Sequence, residues 1–234
     1  MKSWLLSRRS MIGTVVLALL LVVATATTTV VLTSRTGETV PPPPNGPVRV
    51  SVIGDSYSAG SNNDVTWPSL VAAGSPLSIS DVAVADASYA GGAGQSGRFA
   101  EQIDKALASK PGVIVVFGGL GDAGLPDDQI TQSAIDLFAE LTRRAPNVKL
   151  VVFGPIWHHD PVPDVFMALD ADLATAAKTT HTNYISLIRE RWLIADGLMQ
   201  GDAAPTDEGQ SVLARRLNPL LLEQVRESNS VELP

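Results

Sequence analysis

The stretch Arg49-Val50-Ser51-Val52-Ile53-Gly54-Asp55-Ser56-Tyr57-Ser58-Ala59-Gly60 decides how the rest of the chain is read. Its first half is a short, β-branched apolar run of strand length. It stops at Gly54, and Asp55 and Ser56 follow at once. A serine at the end of a strand is placed as a nucleophile, yet a hydroxyl is a weak one unless a base accepts its proton. Further apolar runs of the same kind occupy residues 79–87, 113–119, 149–155 and 183–188. Segments of helical period lie between them. Trp67, Leu70 and Val71 share one face of 66–74, and Phe99, Ile103 and Leu107 do so in 97–109. Residues 127–145 repeat apolar positions at Ile130, Ala134, Ile135, Phe138 and Leu141, with arginines in the last turn where they favour the helix dipole. The segments 163–180 and 208–228 are the last two, the second interrupted by Pro219. This alternation predicts an α/β fold over residues 48–234, a doubly wound five-stranded parallel sheet in a three-layer α/β/α arrangement. Ligands of such sheets sit at the carboxyl edge of the strands, where Gly54-Asp55-Ser56 falls.

The 234 residues are 45% hydrophobic with a formal net charge of −7, which suits one domain with accessory segments. Without a sustained basic patch or aromatic residues interleaved with basic ones, nucleic acid is not an expected partner. The absence of cysteine excludes disulfides, cysteine-ligated zinc and a lipidated N-terminal cysteine.

Residues 1–35 read as a targeting or anchoring element. Lys2, Arg8 and Arg9 precede an uncharged apolar run, and residues 11–32 exceed the roughly 20 that a spanning helix needs. The leading positive charges predict a cytoplasmic N-terminus and an exported C-terminal domain. The rival reading is a signal peptide with its core at 11–23, cleaved near Ala26. Residues 7–12 also resemble a twin-arginine signal. Both readings place the rest of the chain outside the cytoplasm, membrane-anchored or secreted. Residues 36–47, with four consecutive prolines at 41–44, read as a semi-rigid polyproline II spacer.

Residues 52–60 resemble the first block of the SGNH (GDSL-type) hydrolases, and the resemblance extends over about residues 48–225. It implies the flavodoxin-like sheet of that family and an activity among its esterases, lipases, deacetylases and acyltransferases. Ser56 matches the family's nucleophile. The glycine block falls in 88–97, where Gly92 or Gly94 would offer a backbone N–H to an oxyanion. In the third block Gly119 and Asp122 match, but Gly121 stands where the family has Asn. Losing such a donor costs roughly 10²- to 10³-fold in rate. In the fourth block residues 205–209 match well, which puts Ala204 at the histidine position and Gly201 at the aspartate, with Asp202 one residue out of register. Loss of a triad member costs on the order of 10⁴- to 10⁶-fold.

A substitute base would have to come from elsewhere. His181 precedes the fifth strand, at the wrong edge, whereas His158 and His159 follow the fourth strand at the correct one, with Asp160 or Asp164 to orient them. Asp55 and Asp122 are further candidates to line the pocket. Adjacent histidines raise metal binding, but no third ligand stands at helpful spacing, so neither a metal nor a cofactor is expected. The expectation is an exported SGNH-like domain of the cell envelope, catalytically impaired, that binds an acylated or glycan ligand or a partner. The alternative is an active serine esterase or acyltransferase in which His158 or His159 serves Ser56.

Overall fold

In the computed structural model, which describes residues 46–92 and 96–230, the apolar run around Val52 forms β1 (Val48–Gly54). The N-terminal apolar element, the proline spacer and Gly94 lie outside the described residues. Four strands join β1 in one sheet: β2 (Leu77–Asp81), β3 (Val113–Phe117), β4 (Lys149–Phe153) and β5 (Asn183–Ile185). All neighbours are parallel, and the order is β2-β1-β3-β4-β5. The central strands are covered on both faces, which explains why β1, β3 and β4 are mostly apolar rather than alternating, whereas the edge strands β2 and β5 are more polar and more exposed.

Successive side chains point to opposite faces and feed two separate cores. Val50, Val52, Val113, Val115, Phe117, Val151 and Phe153 face one side, where α2 (Trp67–Gly74) and α6 (Asp207–Ser230) contribute Trp67, Val71, Leu213, Leu217 and Leu221. Ile53, Ile114, Val116 and Val152 face the other, against α3 (Ile103–Ala108), α4 (Asp127–Arg144) and α5 (Asp164–Thr179). The short α1 (Ser56–Ala59) follows β1 directly. Among the described residues, no helix is long and apolar enough to cross a membrane.

The structure departs from expectation at several places: the fourth and fifth strands end early, at Phe153 and Ile185, and the helix expected over 97–109 opens with a 3-10 turn at Phe99–Gln102. The second strand is shorter and ends earlier than 79–87, because the Asp81 carboxylate accepts the Ala83 N–H and turns the chain (3.1 Å). Val82 and Val84 still donate to the Val52 and Gly54 carbonyls, so this loop runs on beside β1 as far as its end. The third strand stops at Phe117, since Gly118 and Gly119 adopt φ values of +120° and +106° that only glycine takes readily. The last helix is not interrupted at Pro219. That residue is exposed, so the carbonyl it leaves unbonded faces water, while Leu217 and Leu221 on the opposite side are fully buried. Packing on the sheet outweighs the lost helical hydrogen bond.

Candidate active-site cleft

The site is built on the turn after β1. Asp55 caps α1 by accepting the Tyr57 N–H (2.9 Å), and its other oxygen accepts the Gly119 N–H from the end of β3 (2.8 Å). The turn at Gly118 must be glycine for this contact, because a Cβ there would run into the Asp55 carboxylate. Burial pushes the Asp55 pKa up to about 6, with the charge of Asp122 adding to the rise and the Gly119 and Tyr57 amides opposing it. Asp55 is thus a structural clasp between two strand ends.

Ser56 is presented beside it, buried at the base of a cleft of about 340 Å³. Its Oγ donates to Asp86 Oδ1 (3.1 Å) and accepts the Asp86 backbone N–H (2.9 Å). Asp86 ends the loop after β2 in the left-handed conformation (φ +59°), which aspartate tolerates better than most residues. Both ends of the serine hydroxyl are therefore engaged by one residue.

Ser56, Asp55, Asp86, Leu120, Gly121, Trp157, Phe166 and Asp202 line the cleft, with Tyr57 in its wall. Trp157 and Phe166 stack with ring centroids 4.1 Å apart and form an aromatic side. Below, Phe117 meets Tyr57, Trp67 and Phe153 edge-on, which makes the floor rigid. Asp122 turns away from the cleft. It accepts the N–H groups of Tyr89 and Ala90 (2.8 and 2.9 Å) and anchors the segment leading to Gly92, which also stands apart from the cleft lining. Burial raises its pKa.

His158 is buried, and its Nε2 meets Asp202 Oδ1 at 3.1 Å. Its Nδ1 lies 3.5 Å from the Tyr57 hydroxyl. Exposed His159 directs its Nε2 to the same Asp202 oxygen (3.4 Å). Hydrogen bonds from His158 and then His159 hold the Asp202 pKa below the usual carboxylate range. Neither histidine is a partner of Ser56. Asp160, considered above as an orienting group, pairs with Arg191. Ala204 is fully buried in a two-residue strand paired with Met199–Gln200, just ahead of α6.

Sequence reasoning missed Asp86 and Asp202 as the polar partners. Asp202 had a signal, its place one residue from the aspartate of the fourth block. Asp86 had none, since the loop containing it has the apolar pattern of a strand.

Together these features define a class: parallel α/β domains that present a serine hydroxyl in a cleft at the carboxyl edge of the sheet. Residues 52–212 match the GDSL-like lipase/acylhydrolase family model, and the chain belongs to that family. Solved structures agree on the fold. Psychrotrophic esterase EstA from Pseudoalteromonas sp. is similar at 15% identity with a TM-score of 0.62, over 76% of this chain and 98% of that one. TesA is similar at 22% identity and a TM-score of 0.62, over 75% and 99% of the two chains. A family two carbohydrate esterase from Clostridium thermocellum, solved in complex with cellohexaose, is 14% identical with a TM-score of 0.60, over 76% of this chain and 64% of that one. No curated protein matches the sequence.

Proposed function

We propose that this GDSL-like domain binds an acylated or glycan molecule in the Ser56 cleft and does not hydrolyse it. One observation carries this reading. The Ser56 hydroxyl donates a hydrogen bond to the Asp86 carboxylate and accepts one from the Asp86 backbone N–H. A carboxylate is a weaker base than imidazole at neutral pH, so a proton held there is not drawn off in the way that activates a serine. Gly121 at the family's asparagine position and buried Ala204 at its histidine position support the same conclusion.

The cleft favours a neutral ligand. Asp55, Asp86 and Asp202 line it, and no lysine or arginine does among the described residues. An anionic headgroup would be repelled, whereas the Trp157–Phe166 wall offers an apolar face to an acyl chain or the ring of a sugar. The likeness to a carbohydrate esterase solved with cellohexaose makes glycans the first ligands to try. Residues 11–32, read as an anchor or signal, support a location on the outer side of a membrane among envelope polymers.

A second reading has its own support. The His158–Asp202 pair is two thirds of a triad, and Asp202 lines the cleft that holds Ser56. An active esterase or acyltransferase would then use His158 or His159 as base after a rearrangement that frees Ser56 from Asp86. Turnover of short-chain aryl esters by the purified full-length protein separates the two. Binding alone gives no rate above that of Ser56→Ala. A Ser56-dependent rate that is lost in His158→Ala or His159→Ala sinks the binding reading.

A further inference from the structure

We propose that His158, His159 and Asp202 form a three-ligand site for a divalent transition-metal ion, zinc first, at the rim of the Ser56 cleft. Their donor atoms all lie within 4.8 Å of one another. Two imidazole Nε2 atoms converge on a single carboxylate oxygen, Asp202 Oδ1, at 3.1 and 3.4 Å. Zinc bonds to nitrogen and oxygen of about 2.0–2.2 Å in a tetrahedral arrangement set neighbouring donors roughly 3.3 Å apart. The two imidazole–carboxylate separations are of that size and all three donors lie within 4.8 Å, so an ion enters with side-chain shifts and no movement of the fold.

The donor types agree with the geometry. Two imidazoles and one carboxylate suit zinc and its neighbours in the first transition row, and are too rich in nitrogen for calcium or magnesium. One ligand is also built into the fold. His158 is 4% exposed, and its other nitrogen faces the Tyr57 hydroxyl. Metal-bound histidines usually have such a partner, which fixes the ring and its tautomer. Tyr57 thus acts as a positioning residue, held in turn by the aromatic floor. His159 stands on the adjacent residue, its ring centroid 4.3 Å from that of His158. One divalent ion satisfies both imidazole lone pairs and the carboxylate together.

Charge acts in the same direction. Asp86 and Asp55 share the cleft with Asp202, so a cation meets a negative field there. Three protein ligands leave a fourth position open, as in sites where an ion also takes a water or ligand oxygen. The third ligand was invisible to spacing along the chain, because Asp202 arrives from more than forty residues downstream (|i−j| of 44 from His158). The site does not depend on whether the cleft hydrolyses its ligand.

The test uses the full-length protein, untagged, stripped with a chelator and titrated with zinc chloride by calorimetry. A parallel titration with cobalt(II) is followed by its visible absorption. One zinc per chain is expected, with a tetrahedral cobalt spectrum. His159→Ala and Asp202→Asn alter exposed side chains, so folding is preserved, and each weakens zinc at least roughly tenfold. Tyr57→Phe weakens it by up to roughly tenfold while the cobalt spectrum keeps its form. His181→Ala leaves affinity unchanged. Absence of saturable zinc binding overturns the proposal and leaves a hydrogen-bonded cluster only. So does zinc affinity that is the same in His159→Ala and Asp202→Asn as in the parent protein.

Discussion

Replacing Asp55 by asparagine changes how stability depends on pH, and the sign follows from the geometry. The carboxylate is buried between the ends of β1 and β3, and burial raises its pKa from 3.8 to about 6. The folded protein therefore keeps this proton over a range where the unfolded chain has lost it. Below about pH 4 both states are protonated and the acid's contribution to stability is fully present. As pH rises from about 4 through about 6, the folded state must ionise a group that burial penalises, and the contribution is lost. A shift of roughly two units at 1.36 kcal/mol each makes that loss about 3 kcal/mol. The amide side chain of Asp55→Asn cannot ionise and makes no such contribution. Urea unfolding of both proteins at about pH 4, 5, 6 and 7, read by tryptophan fluorescence, isolates the effect, since groups common to both largely cancel in the difference. The stability of the parent protein relative to Asp55→Asn should fall by about 3 kcal/mol across that range. A difference that is flat, or that grows with pH, would refute the reasoning and mean that the Gly119 and Tyr57 amides balance burial in the first case and outweigh it in the second.

Other substitutions test neighbouring parts of the site and fold. Gly118→Ala forces an alanine to φ +120° and drives its Cβ into the pinned Asp55 carboxylate, so urea unfolding should show a loss of about 3 kcal/mol or more. Ser56→Ala removes both bonds to Asp86 and should lower stability by about 1 kcal/mol in the same assay, since the hydroxyl serves the fold. Pro219→Ala restores a hydrogen bond on the exposed side of a continuous helix and should raise stability by about 1–3 kcal/mol; no gain would mean that α6 is broken at that point.

Much of the fold was legible because parallel strands covered on both faces are nearly continuously apolar, as β3 is throughout and as β1 and β4 are apart from Arg49, Ser51 and Lys149. The second strand differs for a local reason. Its apolar alternation continues through Val82 and Val84, but the side-chain turn made by Asp81 decides where the ladder ends. The last helix shows the reverse case, in which a local breaker, Pro219, yields to the burial of leucines on either side. The site was legible as far as it is contiguous. Gly54, Asp55 and Ser56 act where they stand in the chain. Its polar partners come from loops after β2 and before α6, and no periodicity reports which carboxylate such loops bring to a serine. The role of Asp122 was hidden similarly, because its backbone partners, Tyr89 and Ala90, carry no mark in the sequence.

If the Ser56 hydroxyl is held by Asp86 and not activated by an imidazole, it should resist reagents that report activated serines. The quantity to measure is the stoichiometry of fluorophosphonate labelling at Ser56, read by intact mass and peptide mapping against Ser56→Ala. No adduct at Ser56 is expected after prolonged exposure at neutral pH. A full equivalent of label on Ser56, absent from the mutant, would contradict this and show that a base reaches the serine.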